Sequence, residues 1–314
     1  MIQIGKLDKE QRKKLAVLHV DDMLSNYSEE IKYSIDNSDI YTDEITNNNS
    51  INDDEERKLW FTNIAVTEND TVTELFEMPE GEKVTILNFA SYKNPGGMFY
   101  EGSSAQEEFL CHHSTLYPVL KSFEDSYYKP HMNSLNYSLY TNTGIYSKDV
   151  KFFDYDLYNV NISTKCTRRD IMINGNSIVH YNEQEYHKPY ITKDTRSADV
   201  ITCAAPNIRA FEKYQRGKFI NKKYTDKEID ECLYSILLER CIFVLEVAKI
   251  NNAQNLILGA FGCGVFGCNP KIVSEIFANL LCEDEDYEGI FKEVRFAIPK
   301  GINYDIFKET FVKF

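Results

Sequence analysis

The sequence predicts an α/β domain of three layers, a mixed and mostly buried central sheet between two layers of helices. Two observations carry this. Short apolar runs, VTILNFA (84–90), VITCAA (200–205), NLILGAF (255–261) and VRFAIP (294–299), have the near-continuous hydrophobicity of strands covered on both faces. Between them stand segments with helical periodicity, the longest at 226–251 with Ile229, Leu233, Ile236, Leu237, Val244 and Val247 on one stripe. Strands that alternate with helices argue for this architecture.

Taken in order, residues 8–34 read as one or two helices. The acidic, asparagine-rich run 36–57 reads as a loop or linker. Residues 1–58 are thus expected to form an N-terminal helical extension and linker, and 59–314 a single domain. Within that domain, 60–67 is expected as a strand, and 70–78 as a short helix capped by Asp70. The strand 84–90 leads through a glycine loop into a helix from about 105 to 122. Residues 137–147 look like a strand or hairpin, and 151–196 like an insertion of strands and loops. The strand at 200–205 is ended by Pro206. A helix starts near Pro270, where proline suits the first turn, and 303–314 closes the chain as a last helix.

Composition narrows the function. The 314 residues carry 35 basic and 49 acidic side chains, a net charge of −14. Such a balance argues against non-specific binding to nucleic acid or to an anionic membrane. It leaves room for a phosphate-bearing ligand, because backbone N–H groups can hold phosphate without lysine or arginine. No apolar run reaches membrane-spanning length, and the N-terminus MIQIGKLDKEQRKK lacks a signal-peptide core. A soluble, cytoplasmic monomer is expected. Of the eight cysteines, the closest pair is Cys263 and Cys268, and no second pair stands at zinc spacing. No metal or cofactor is expected.

Two stretches carry the chemistry. GAFGCGVFG (259–267) leaves a strand and precedes a helix, the placement of a phosphate-holding loop. Gly262 and Gly264 allow positive φ and close approach of an anion to the amides around Gly264, Val265 and Phe266. A tight turn of small residues fits the same letters. The second stretch is NPGGMFYEGSSAQEEFLCHHSTLY (94–117). Ser104 stands three residues before Glu107, the spacing of a capping box. Adjacent helical residues point about 100° apart, so Glu107 and Glu108 cannot do the same job. One can brace the loop while the other faces a cleft. The residues alone favour two surface carboxylates at a helix start, where the helix dipole welcomes them. The chemical alternative is glycosidic cleavage, in which a carboxyl protonates a leaving oxygen and a base activates water.

In NFASYKNPGGMFYEGSSAQEEFLCHHSTLY the chain resembles the catalytic stretch of bacterial-type poly(ADP-ribose) glycohydrolases, macrodomains with a GGG loop followed by QEE. IAVTENDTV, YTNTGIYSKDV, DVITCAAPN and LILGAFGCGVFGCNP resemble further blocks in family order, together spanning roughly 60–300, with 155–195 the poorest part. The resemblance implies a macrodomain-like fold and hydrolysis of the ribose–ribose bond of poly(ADP-ribose), with ADP-ribose as product and no metal. By position it implies Glu108 as the catalytic acid/base, Glu107 as the residue that holds the neighbouring ribose hydroxyl, and Gln106 as a shaper of the loop. Gly96 and Gly97 would let the loop wrap ribose and phosphate, and Asn94 would contact ribose. Gly262, Gly264, Val265 and Phe266 would bind diphosphate, with Phe266 packing on the ligand. Met98 departs from the pattern, standing where the family has its third glycine. A side chain there would crowd the diphosphate, alter the backbone, or turn harmlessly to solvent. It keeps two alternatives open, a mono-ADP-ribosyl hydrolase and an ADP-ribose-binding macrodomain with little catalysis.

Other candidates are weaker. Cys111, His112 and His113 splay apart on a helix and make no nucleophile–base pair with one another. Phe99 and Tyr100 fit ligand stacking and loop packing equally. Arg168–Arg169 and Lys222–Lys223 could touch a polyanion, yet short charge clusters are ordinarily just solvated.

Overall fold

The computed structural model describes residues 7–44, 60–133, 135–157, 167–173, 176–182 and 190–314. The main sheet has seven strands, in the order β1 (Asp39–Thr42), β4 (Thr143–Leu157), β7 (Tyr190–Cys203), β3 (Val84–Phe89), β8 (Asn255–Leu258), β9 (Glu293–Ala297) and β2 (Asn63–Thr67). β1, β4 and β7 pair antiparallel, whereas β7, β3, β8, β9 and β2 run parallel. Strands β5 (Thr167–Ile173) and β6 (Asn176–Asn182) form a separate antiparallel pair.

The period-2 geometry of strands divides the core in two. On β3, Leu87 faces one cluster while Val84 and Ile86 face the other. The Leu87 side is covered by the helices Asp226–Ile250, Pro270–Cys282 and Ile302–Phe311, through Leu237, Val244, Phe277 and Phe307. The other side is covered by α1 (Lys9–Asn26), α3 (Thr71–Glu77), α4 (Gln106–His112) and α5 (Leu116–Ser122), through Val20, Leu75, Leu110 and Leu120. The expected three layers and mixed sheet are present. No helix among the described residues is long and apolar enough to cross a membrane.

Most expected elements are found within a few residues. Asp70 caps α3 by accepting from the Thr73 amide, and Pro270 opens its helix behind the Asn269 cap. Four differences have physical causes. Residues 39–42, inside the expected linker, form edge strand β1, because Tyr41 buries its ring against Tyr146. The helix expected over 105–122 is broken at His113–Thr115. There the chain makes a short bridge to Phe152, with the Thr115 amide donating to Lys151 O and the Phe153 amide to His113 O. Pro118 then falls in the first turn of α5, where a missing N–H is harmless. Strand β4 begins only at Thr143, since Asn136, Tyr137, Ser138 and Tyr140 all adopt positive φ. Helices Ile208–Tyr214 and Arg216–Asn221 follow Pro206, where the sequence reading placed nothing. Of the region 151–196, residues 158–166, 174–175 and 183–189 lie outside the described residues, as does 45–59 of the linker.

The break in the helix buries Cys111, His112 and His113. His113 donates from Nδ1 to Phe109 O, and burial drives its pKa down to about 4. Burial drives that of His112 well below the usual range, with no partner at either ring nitrogen among the described residues. Both are held neutral, so the unfolded chain binds protons more readily than the native one between about pH 6.5 and 4. The two histidines' share of stability is therefore complete above that window and falls as pH drops through it, by roughly 3 kcal/mol for His113 over the whole span, while Glu107, with its raised pKa, shifts stability the opposite way. Urea midpoints measured from pH 7.5 down to 5 should therefore fall less in His112→Leu than in wild type. An unchanged slope would show that His112 titrates normally.

Candidate active site

The C-terminal ends of β3, β8 and β9 open onto a cavity of about 980 Å³. Strand carboxyl ends are where open α/β sheets hold ligands. Both glycine-rich loops reach it. From the first and the start of α4 behind it come Asn94, Gly97, Met98, Gln106, Glu107 and Glu108, and from the second Gly262, Gly264, Val265 and Phe266. Of the expected residues, Gly96 alone stands behind the lining, packed on Tyr117.

Gln106 extends the sheet with its side chain. Its Oε1 accepts from the Phe89 amide and its Nε2 donates to Leu87 O, both at 2.8 Å, so the carboxamide stands in for a strand neighbour at the end of β3. This fixes α4 against the strand and so fixes the two glutamates behind Gln106.

The capping-box expectation is not met. Ala105 is the N-cap, and no side chain caps α4. Nor are the glutamates on the surface: Glu107 is 3% and Glu108 6% exposed. Glu107 turns to the loop. Its Oε2 accepts from the Ser91 amide at 2.7 Å, its Oε1 from Asn88 Nδ2 at 3.4 Å, and the Gly96 amide bonds it as well. Burial nevertheless raises its pKa well above the carboxylate range, and neighbouring Glu108 adds to the rise. Glu108 is held on one side only. Its Oε1 accepts from the Met98 amide at 2.8 Å, whereas its buried Oε2 has no partner among the described residues.

The glycines are explained by this wrapping. Gly96 and Gly97 have φ of +69° and +63°, a left-handed pair that folds the loop back over the carboxylates. A Cβ on Gly97 would stand 2.4 Å from Glu108 Oε1 and 2.9 Å from Glu107 Oε2. Met98, by contrast, lacks positive φ; its backbone serves Glu108 while its side chain, 50% exposed, reaches the cavity wall. The third position of the loop therefore needs no glycine here. Phe99 is buried against Tyr117 and His112, so it packs the loop.

The second loop presents amides. The N–H groups of Cys263, Gly267 and Cys268 bond to Ala260, Gly264 and Gly262 O within the loop. Those of Gly264, Val265 and Phe266 make no hydrogen bond among the described residues. Gly262 is left-handed at φ +71° and would clash with Cys268 and Ala205 if it carried a Cβ. Gly264 differs from expectation: it is not left-handed, and a Cβ there would meet nothing. Phe266 packs edge-on to Tyr140 at 6.1 Å.

The sequence reading missed two parts of the lining. One is Asp70 and Thr71 at the start of α3; the other is Ala297 to Asn303, the end of β9 and the turn into the last helix. The position of VRFAIP as a parallel strand was the available signal, since its carboxyl end had to meet the same cleft. Arg209 was also missed; its Nη2 lies 3.3 Å from Gly264 O, and its amide donates to Phe266 O.

Gly97→Ala should be costly and Gly264→Ala nearly silent. The first combines left-handed backbone with a carboxylate clash and should lose about 1–3 kcal/mol of stability. The second should stay within about 0.5 kcal/mol of wild type. Thermal unfolding of the two variants side by side checks the contrast, and equal losses would contradict the wrapped-carboxylate geometry.

Comparison with known proteins bears on this site. Residues 15–154 match the family model of microbial-type PARG, catalytic domain, a span that includes most of α1, Gly96, Gly97 and both glutamates. A comparison with curated protein sequences returns no match. Poly(ADP-ribose) glycohydrolase from Thermomonospora curvata shares the fold with a TM-score of 0.70 at 25% identity, over 96% of this chain and 99% of that one. Its structure with the inhibitor ADP-HPD gives the same values. The enzyme from Deinococcus radiodurans in complex with ADP-ribose matches at 0.66 and 25% identity, over 90% of this chain and 97% of that one. Over residues 15–154, then, this chain is similar to the microbial-type PARG catalytic domain, and its fold is similar to that of the bacterial poly(ADP-ribose) glycohydrolases.

Proposed function

We propose that this protein is a poly(ADP-ribose) glycohydrolase, cleaving ribose–ribose O-glycosidic bonds with Glu108 as acid and base. The observation that carries the assignment is the division of labour between the glutamates. Glu108 borders the cavity with one oxygen anchored and the other buried and unbonded. An oxygen so placed can give a proton to the leaving ribose oxygen as the glycosidic bond breaks. The sugar left behind carries oxocarbenium-like charge, which the carboxylate then faces. The same Oε2 next takes a proton from water as the water oxygen bonds to the anomeric carbon. The acid is thereby restored, and each product ends in a hydroxyl.

Glu107 serves differently. Two loop amides hold it, so it accepts a ribose hydroxyl beside the scissile bond and keeps the loop closed around it. The free amides of Gly264, Val265 and Phe266 take the diphosphate, with Phe266 packing beside it. Asn94 and Gly97 line the ribose side. Met98 offers the ligand a flexible thioether where a third glycine would leave space, and this narrows the site without removing the Glu108 anchor, which is a backbone group.

ADP-ribose release from purified polymer tests the assignment. Glu108→Gln should lose about 10²–10⁴-fold in rate, the usual range for general acid–base catalysis. It should still be stabilised thermally by ADP-ribose, since a ligand that binds the native state raises its melting temperature. Met98→Gly should retain activity. Polymer hydrolysis that survives Glu108→Gln would remove the acid/base assignment.

A further inference from the structure

The diphosphate loop does not end at the cavity. Through Arg209 it continues into a surface of opposite charge to the rest of the molecule. Residues 209–223, RAFEKYQRGKFINKK, hold six basic residues and one acidic residue in a chain of net charge −14. Arg216 is spent internally, bonded to Glu212, Asp226 and Asp230. The other five, Arg209, Lys213, Lys218, Lys222 and Lys223, are exposed and form no ion pair among the described residues. Arg209 and Lys213 stand four residues apart on one face of the helix Ile208–Tyr214, and Lys218 lies on the next helix, Arg216–Asn221, which Lys222 caps at its C-terminus.

Aromatic rings are set among these cations. Phe219 meets Tyr137 at 5.0 Å and Tyr224 at 5.8 Å, and Lys222 Nζ lies 5.8 Å from the Tyr137 ring. Tyr137 and Tyr224 remain 41% and 50% exposed. Phe211 anchors the group from within, buried against Phe219. Tyr137 holds a left-handed φ of +56°, a conformation that costs a bulky residue free energy. Cations interleaved with accessible aromatic faces are the means by which proteins hold single-stranded polyanions that carry bases.

We propose that this surface is a docking track for the ADP-ribose units of the polymer that lie beyond the unit in the cavity. The inference rests on the glycohydrolase reading. Each further unit brings a diphosphate and an adenine, and the surface supplies unpaired cations for the one and tyrosine faces for the other. Continuity comes from Arg209, which touches Gly264 O and Phe266 O of the cavity loop at one end of the track. The track raises affinity for long polymer and is indifferent to a substrate that fills the cavity alone.

The test separates track from active site. Binding of end-labelled, size-fractionated polymer is measured by fluorescence anisotropy in the uncleaving Glu108→Gln background. It is repeated with Lys213, Lys218, Lys222 and Lys223 all changed to Glu, and independently with Tyr224→Ala. Charge reversal should weaken long-polymer binding by at least about tenfold and make its salt dependence shallower. Tyr224→Ala should weaken it several-fold with the salt dependence intact. Binding of ADP-ribose monomer should not change in either. Unchanged long-polymer binding in the charge-reversal variant overturns the track. So does equal affinity of the unreversed protein for duplex DNA, which would show a general polyanion surface. A wild type that binds polymer through this surface but releases no ADP-ribose defeats the glycohydrolase reading and leaves the track standing.

Discussion

Two buried carboxylates bonded to the backbone of a glycine loop are the constraint around which the rest of this structure is arranged. Buried ionisable groups are costly unless hydrogen-bonded. Here the bonds come from amides at Ser91, Gly96 and Met98, which the chain can deliver only by turning left-handed twice, at Gly96 and Gly97. That turn needs α4 to stand at a fixed distance from β3, and Gln106 sets the distance by completing the strand's hydrogen bonds. The asymmetry of the outcome, one glutamate saturated and the other left with a free oxygen, follows from which amides the loop can reach.

Much of this was legible in the letters, and the failures have physical reasons. The apolar runs located the strands, because strands covered on both faces leave no polar alternation to misread. The sequence NPGG announced a loop requiring positive φ, and the structure places it on two glycines and not on the third position. What spacing could not reveal was where Glu107 points. S-x-x-E describes a cap made within one helix, and it was overridden by donors from a loop ten or more residues earlier in the chain. The expectation of surface glutamates failed for the same cause, since nothing local says that the loop will fold over them. Pro118 is the local signal of the helix break, since a proline suits the first turn of a new helix better than the interior of one. Tyr41 illustrates the opposite limit: one buried ring in a polar run is too little periodicity to declare a strand.

The charge distribution reflects the same economy. The cavity's second glycine loop presents amides without a hydrogen bond among the described residues, and dipoles fixed in the backbone need no reorganisation when an anion arrives. A strongly acidic protein can thus hold an anionic ligand inside while repelling unrelated polyanions over most of its exterior. In the stretch 209–223, Arg216 is paired to acids while the other five cations form no ion pair among the described residues.

The position of β3 has a consequence for how the molecule comes into being. This strand carries the active-site loop at its end, yet both of its sheet partners, β7 and β8, are encoded far downstream of it. During synthesis the strand therefore emerges with two open edges and waits for more than a hundred residues before the first can close. Glu107 and Glu108 share that wait, and the last wall of their cavity arrives only with residues 297–303. The glycine loop after β3 passes through that interval on a sheet that is only half assembled.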